Sequence, residues 1–381
     1  MTVTAERVKV TPRSTTKRRL QRWVVGLLAV SVVLVGLSWW FYEDVHRTID
    51  TVRTKAAPAQ LAAAAAKSAL AKADYLALHS FPVRDQTGTP AQELSGWPGD
   101  QYQNQIAVVS QSLAQVAEDN LAGDAGSQQI QLVEGLLVAY TGWIEQADMH
   151  RREGSDVLAT VDIWYASRLL NTTDTGVLAQ MDLLLKTQQE AMDDQLPSGF
   201  TGIVRTVLLG LSFLALAAML VLVQVFLRWR FRRSVNIYLG AATVLLVGFA
   251  VFPVVTVVAQ GQLSSATGEL RDVVDVWQSR TADTVGAGQQ QLNSIMVPVC
   301  RDGCGETVAR FGGTAAPPWS GRQPALNDPD IGTKTKQANQ RIADAGVAGL
   351  DLVLVLAGLA LIALVVAGFW RRILEYRFEA R

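Results

Sequence analysis

Cysteine, histidine and charge are all scarce in this chain. Of its 381 residues two are cysteine, three are histidine and 18% are charged, with 34 basic residues balancing 34 acidic ones. Soluble domains carry about 25% charged residues, so this shortage argues against a cytosolic enzyme. It equally excludes a disordered tail of one charge sign. Two cysteines are too few for a secreted disulfide scaffold, and two thiolates with no neighbouring histidine supply only half of a zinc shell. His46, His79 and His150 are scattered, form no HExxH pair and read as solvated or helix-capping residues. A Walker-type Gly-Lys-Ser/Thr loop, a GxGxxG turn after a strand and a Ser/His/Asp or Cys/His arrangement are missing as well. Acidic pairs such as Glu118-Asp119 and Asp193-Asp194 point different ways on a helix and read as solvated faces. The expectation is a non-enzymatic protein with no cofactor, no catalytic residues, no metal site and no nucleic-acid partner.

What the chain has instead is apolar sequence: 49% hydrophobic residues and 30 glycines. The excess is concentrated in uncharged runs at 23–42, 206–227, 237–259 and 352–370. Each is long enough to cross roughly 30 Å of hydrocarbon as a helix. The first run follows a basic segment, as a signal peptide would, but it is too long and ends in Trp39-Trp40-Phe41-Tyr42 where cleavage needs small residues. It reads as a retained anchor. Those aromatics suit a membrane interface, as do Trp23, Trp229, Tyr238 and Trp370 at other run ends.

The zero net charge conceals a segregation. Residues 1–22 carry seven Lys/Arg and one acid; Arg228, Arg230, Arg232 and Arg233 lie in the 228–236 loop without an acid; 371–381 carries four Arg and two Glu. The remaining chain is strongly acidic. The positive-inside rule then places both termini and the short loop in the cytoplasm of a multi-pass plasma-membrane protein. The four loop arginines have a plain reading, fixing topology, and two functional ones: anionic lipid headgroups or a cytoplasmic partner. The cytoplasmic pieces are each too short for a domain, so inside the cell this chain is expected to act through partners or through movement of its spans.

Two segments are expected outside, 43–205 and 260–351. In the larger one Ile106, Val109, Leu113 and Val116 recur at helical spacing, as do Ile130, Val133, Leu137, Tyr140 and Ile144. Leu158, Val161, Tyr165 and Leu169 form a third stripe, and Leu178, Met181 and Leu185 a fourth. Gly- and Ser-rich turn signals separate them. An alanine-rich helix over 60–79 precedes them, with Pro58 as its start or a kink, and the proline-bearing loop at 81–101 reads as exposed and mobile. The predicted fold is all-α: four transmembrane helices carrying an extracytoplasmic antiparallel helical bundle. The smaller segment prolongs the third span outward as a helix to about residue 295, despite glycines at 261, 268, 286 and 288. A proline-interrupted stretch follows, with a return helix from about Thr333 into the fourth span.

Cys300 and Cys304 flank a short turn on the oxidising side; a loop-closing disulfide is the preferred reading over a metal site. Pro253 kinks the third span, either as a tolerated membrane proline or as a hinge. Tyr140, Trp143, Trp164 and Tyr165 are candidates for a docking or ligand groove, with a core role as the competing reading. No span has a charge at its middle, which argues against a transport path.

The stretch Tyr140-Thr141-Gly142-Trp143-Ile144-Glu145-Gln146-Ala147, then Gly154, then Trp164-Tyr165-Ala166-Ser167-Arg168-Leu169-Leu170 is similar to a motif of four-span actinobacterial membrane proteins of the GlnX type. Those proteins also have a large first and a smaller second outer loop, and a junction like Arg232-Arg233-Ser234-Val235-Asn236. The chain departs from the pattern at Trp143, Asp148 and Arg151, where the pattern has Leu, Arg and Asn. The resemblance implies a relay of amino-acid sensing: an extracytoplasmic solute-binding lipoprotein docks on the bundle, and a soluble serine/threonine protein kinase inside receives the signal. The competing class resembles the four-span permeases of the FtsX/MacB type, an accessory or structural role in a transport or envelope-assembly complex. Those couple to a cytoplasmic ATPase and carry strands in the outer domain.

Overall fold

The computed structural model of the chain describes residues 15–81, 97–195, 199–231, 237–300 and 350–378, with isolated positions between 304 and 340. Among the described residues every regular element is helical. The chain divides into two compact units, one built from 1–47, 197–261 and 347–381 and the other from 48–196 and 262–346.

The first unit holds most of the apolar sequence. It contains the bulk of α1 (Thr15–Thr51), α7 (Gly199–Phe231), α8 (Ile237–Phe249), the start of α9 (Val251–Val299) and α10 (Leu350–Phe378). Three helical stretches, Arg22–His79, Val204–Val225 and Ile237–Val299, are long and apolar enough to cross a membrane, and a shorter apolar stretch fills Leu352–Gly368. Leu27, Leu34, Leu216, Leu220, Leu246 and Leu361 form the interior. Val25, Leu211, Leu214, Val244 and Leu352 point outward, an apolar surface compatible with lipid rather than water. Small residues bring the helices close: a Cβ on Gly358 would meet Val35 at 2.9 Å, and one on Gly26 would meet Met219 at 2.6 Å. Gln224 ties α7 to α8 by donating to Thr243 Oγ1 at 2.7 Å and Leu239 O at 3.1 Å.

Pro253 accounts for the break between α8 and α9. It has no N–H to give Phe249, four residues back, and its ring crowds that carbonyl. The ladder stops at Phe249, Ala250 is a turn, and a new helix begins at Val251 with Pro253 in its first turn, where the missing donor costs nothing.

The second unit centres on α2 (Ala57–His79). A π-helical turn at Val52–Ala56 joins α1 to α2 and places Pro58 in the first turn of the new helix. Helix α2 is buried around most of its circumference: fifteen of its residues are buried, ten of them alanine. A helix apolar on every side belongs in an interior. Alanine makes that interior narrow, so α3 (Asp100–Glu118) and α6 (Val177–Gln195) pack closely on it, while α4 (Gly123–Arg152) packs on α5 (Asp156–Asn171) and α6. Gly154, at φ +80, ends α4 in a conformation an L side chain resists, and Ser155 N–H closes back on His150 O at 2.9 Å. Gly176 is held against backbone, since a Cβ there would lie 2.4 Å from Thr172 O.

The buried faces of α3, α4 and α6 are those the apolar spacing picks out, with Ile106 half-buried. That of α5 is not. Leu158 and Tyr165 are exposed, Val161 and Leu169 are half-buried, and the buried face is Ala159, Ile163, Trp164, Ala166 and Leu170 with Thr160, Asp162 and Ser167. Both faces of this helix carry apolar residues at helical spacing, and the one that packs against its neighbours combines Ile163, Trp164 and Leu170 with small residues. Helix α9 continues unbroken through its glycines to Val299. The loop at 81–101 lies mainly outside the described residues, as does most of the return helix from Thr333.

Candidate functional site

A carboxylate lies inside the alanine helix. Asp74, between Ala73 and Tyr75, is 4% exposed. Tyr140 on α4 donates its hydroxyl to Asp74 Oδ1 at 3.2 Å, and the polar Asn171 and Ser167 side chains of α5 lie near enough to favour its charged form. Asn171 Nδ2 in turn donates to Ser167 O at 2.9 Å, and Gln289 Nε2 of α9 donates to Ser167 Oγ at 2.9 Å. Gly288 leaves room beside the carboxyl: a Cβ there would sit 3.8 Å from Asp74 Oδ2 and 3.6 Å from Leu78 Cδ1. One acid is thus enclosed by side chains from α4 and α5 with the backbone of α9 alongside.

Burial pushes the Asp74 carboxyl up from 3.8 to about 7, against these polar neighbours, which favour its charged form. The cationic partner that usually accompanies a buried carboxylate is absent from the groups acting on it. The Tyr140 phenol is pushed well above its ordinary range by burial, then by the Asp74 charge. Tyr102 on α3 is raised by burial, then by Asp74 and Glu145. The Tyr102 hydroxyl and Asn171 Oδ1 are buried without a hydrogen-bond partner. Sequence reasoning missed Asp74 because it sought chemistry in motifs. The available signal was an acid interrupting a run of alanines.

The four aromatic candidates separate into two pairs. Tyr140 and Trp164 are in the core, at 0% and 2% exposure. Trp143 is half-buried and Tyr165 is 42% exposed; their rings stack at 5.1 Å on the surface of α4 and α5. Arg168 lies over Trp164 at 5.2 Å. Apolar residues near in sequence, Val138, Met149 and Leu158, are also exposed. Two departures from the motif prove complementary, because Asp148 pairs with Arg151 at 2.9 Å and with Arg152 at 2.5 Å. His150 is not a solvated residue: its Nδ1 lies 2.6 Å from Asp162 Oδ2, and the Asp162 side chain is 7% exposed.

Helices α2, α6 and α9 also border a polar groove of about 550 Å³, lined among others by Gln60, Lys67, Asp182, Arg271 and Asp275. Lys67 pairs with Asp182 at 2.5 Å, and Arg271 with Asp193. Cys300 and Cys304 are disulfide-bonded, with Cα atoms 4.9 Å apart, and both pack in the core of the unit. Arg228 and Arg230 fall in the last turns of α7, whereas Arg232 and Arg233 lie outside the described residues. Among the described residues no group of His, Cys, Asp or Glu could hold a metal ion.

Residues 48–197 match the family described as the actinobacterial sensor domain. No curated protein and no solved structure matches the chain. The match supports a sensor protein from actinobacteria and points to a non-catalytic, signalling role.

Proposed function

We propose that the chain is a four-span transmembrane sensor that relays an extracytoplasmic signal, borne by a docked solute-binding lipoprotein, to a cytoplasmic partner such as a serine/threonine protein kinase. One observation carries the reading. The sensor match at 48–197 and the compact unit's first segment at 48–196 have nearly the same boundaries, although one comes from sequence and the other from contacts. The all-helical described residues favour this reading over a permease-like accessory, whose outer domain would carry strands.

A relay needs two helix packings that differ by a few kcal/mol, with the partner preferring one. Moving the balance from 1:99 to 99:1 takes about 5.5 kcal/mol of differential binding. A protein partner supplies that over a broad contact more readily than a small solute does. In this reading the lipoprotein contacts the Trp143–Tyr165 stack and the exposed Leu158, since stacked aromatics at a surface are the usual anchors of an interface. Pro253 provides the joint at which α8 and α9 can change their relative tilt. Arg228, Arg230, Arg232 and Arg233 provide the charge that meets an acidic partner or the lipid surface.

Cross-linking the full-length protein in its native membrane and identifying co-purified proteins tests the proposal. A solute-binding lipoprotein together with a soluble kinase supports it. An ATPase or envelope-assembly proteins, with neither of those, would replace it with the accessory reading.

A further inference from the structure

The polar groove bordered by α2, α6 and α9 takes no part in the relay, yet its walls are regular. Helices α6 and α9 each give it one face about two turns long, 182 to 189 and 271 to 278, and α2 gives it Gln60 and Lys67. Gln60 Nε2 donates to Met192 Sδ at 3.5 Å and Lys67 pairs with Asp182 at 2.5 Å, so α2 and α6 run antiparallel beside it. Arg271 of α9 pairs with Asp193, next to Met192. The two ion pairs therefore stand at opposite ends, and their acids are about 16 Å apart along α6. Leu185 and Val274 supply apolar surface between those ends.

What the wall of α9 leaves unmet decides what the groove can hold. Arg271 and Asp275 are one turn apart, a spacing at which they could pair with each other. Arg271 reaches across to Asp193 instead, and Asp275 is exposed with no ion pair among the described residues. The Arg271 Nε is buried and has no acceptor, a cost that a bound acceptor would relieve. One wall thus offers an unmet donor and an unmet carboxylate. Charge is otherwise balanced, with Lys67, Lys186 and Arg271 set against Asp182, Asp193 and Asp275. A simple anion would meet the acids and a simple cation the bases; a ligand carrying both charges meets neither objection. Gln189 and Gln278 add amides that can both give and accept a hydrogen bond.

We propose that this groove binds a short peptide with free termini, its carboxylate on Arg271 and its ammonium group on the acids further along, Asp275 first and Asp182 beyond it. Asp275 stands about 6 Å along α9 from Arg271, and the far ion pair about 16 Å along the groove. Allowing about 2.8 Å of contact at each end of the longer span leaves about 10 Å. Extended residues cover about 3.3 to 3.6 Å each, so two or three of them fill this range and a single amino acid does not. The peptide's own amides meet Gln189 and Gln278, and its side chains meet Leu185 and Val274. A volume of about 550 Å³ is in the range of small-ligand sites. A peptide so held links α9 to α6 across the gap that the Arg271–Asp193 pair bridges.

The test is isothermal titration calorimetry on the full-length protein in lipid nanodiscs with no partner present, so its failure leaves the relay untouched and the relay's failure leaves it untouched. The probes are trialanine, N-acetyl-trialanine, trialanine amide and alanine. Trialanine should bind with a Kd below about 1 mM and alanine at least about tenfold more weakly. Acetylating the amino terminus should weaken binding about tenfold in wild type and have no further effect in D275N, an exposed position whose replacement leaves the packing intact. Amidating the carboxyl terminus should weaken binding about tenfold in wild type and have no further effect in R271K, which keeps the charge facing Asp193 and loses the Nε–H. No heat from trialanine at millimolar concentration overturns the site. Alanine binding as tightly as trialanine overturns the peptide as its ligand. Blocked termini that cost as much in D275N and R271K as in wild type overturn the roles given to Asp275 and Arg271.

Discussion

Acid should stabilise the helical unit that holds Asp74, against the usual trend for carboxylates, and Asp74→Asn should abolish the effect. The folded-state value of about 7 lies above the unfolded value of 3.8, so the folded state holds its proton more tightly than the unfolded state. The group contributes no penalty where both states are protonated, below about pH 4. The penalty grows as pH rises from there and levels off above 7. A shift of about three units at 1.36 kcal/mol per unit amounts to about 4 kcal/mol, of which about 2.5 falls between pH 5 and 8. With a urea slope of about 2 kcal/mol per molar, the unfolding midpoint of the domain should drop by about 1 M over that interval. Pulse proteolysis of the detergent-solubilised full-length chain would read it. The difference between wild type and D74N removes whatever the remaining titratable groups add. D74N keeps an oxygen for the Tyr140 hydroxyl and offers its amide to the unpartnered Asn171 Oδ1. It should be more stable than wild type at pH 8 by about 2 to 4 kcal/mol and close to it at pH 4. A wild-type midpoint that does not fall from pH 5 to 8, or one that changes by the same amount in D74N, would refute the reasoning.

Trp164→Ala, which empties a fully buried site, should cost about 3 to 5 kcal/mol, whereas Tyr165→Ala at the surface should cost under about 1 kcal/mol and reduce lipoprotein capture instead; thermal melts and pull-downs on the same preparations separate the two. Ala73→Leu on α2, at 0% exposure, should destabilise by about 1 to 3 kcal/mol or more through overpacking, read as a lower melting temperature. Replacing Cys300 and Cys304 together by serine opens a loop with a sequence separation of four and should cost about 2 kcal/mol, measured as a shift in the urea midpoint under non-reducing conditions.

How much of this was legible in the sequence follows from side-chain size. Helices α3, α4 and α6 announce themselves because Val109, Leu113, Val133, Leu137, Met181 and Leu185 are bulky, and bulk at helical spacing marks a buried face. The apolar runs are legible for the same reason. Helix α2 is legible as a helix but not as the centre of its unit, since alanine carries no periodic signal and only the packing of α3 and α6 around it reveals the burial. On α5 the rule misleads because both faces are apolar at helical spacing: Leu158 and Tyr165 mark one, yet the buried one is set by Ile163, Trp164 and Leu170 with Ala159 and Ala166 between them. The Asp74 cluster was half visible. Tyr140 and Ser167 lie in the stretch that carries the family resemblance, but the acid beside them is 66 residues from Tyr140 along the chain, on a helix with no motif. Contacts of that kind depend on tertiary packing, which spacing within one helix does not encode.

Photo-cross-linking from Tyr165 in the native membrane tests the central claim most directly. A photoreactive residue placed there, with one at Leu183 on α6 as control, should capture an extracytoplasmic solute-binding lipoprotein from position 165 and not from 183. Capture of cytoplasmic proteins from position 165, or equal capture from both positions, would contradict a sensor domain that receives its signal on this face.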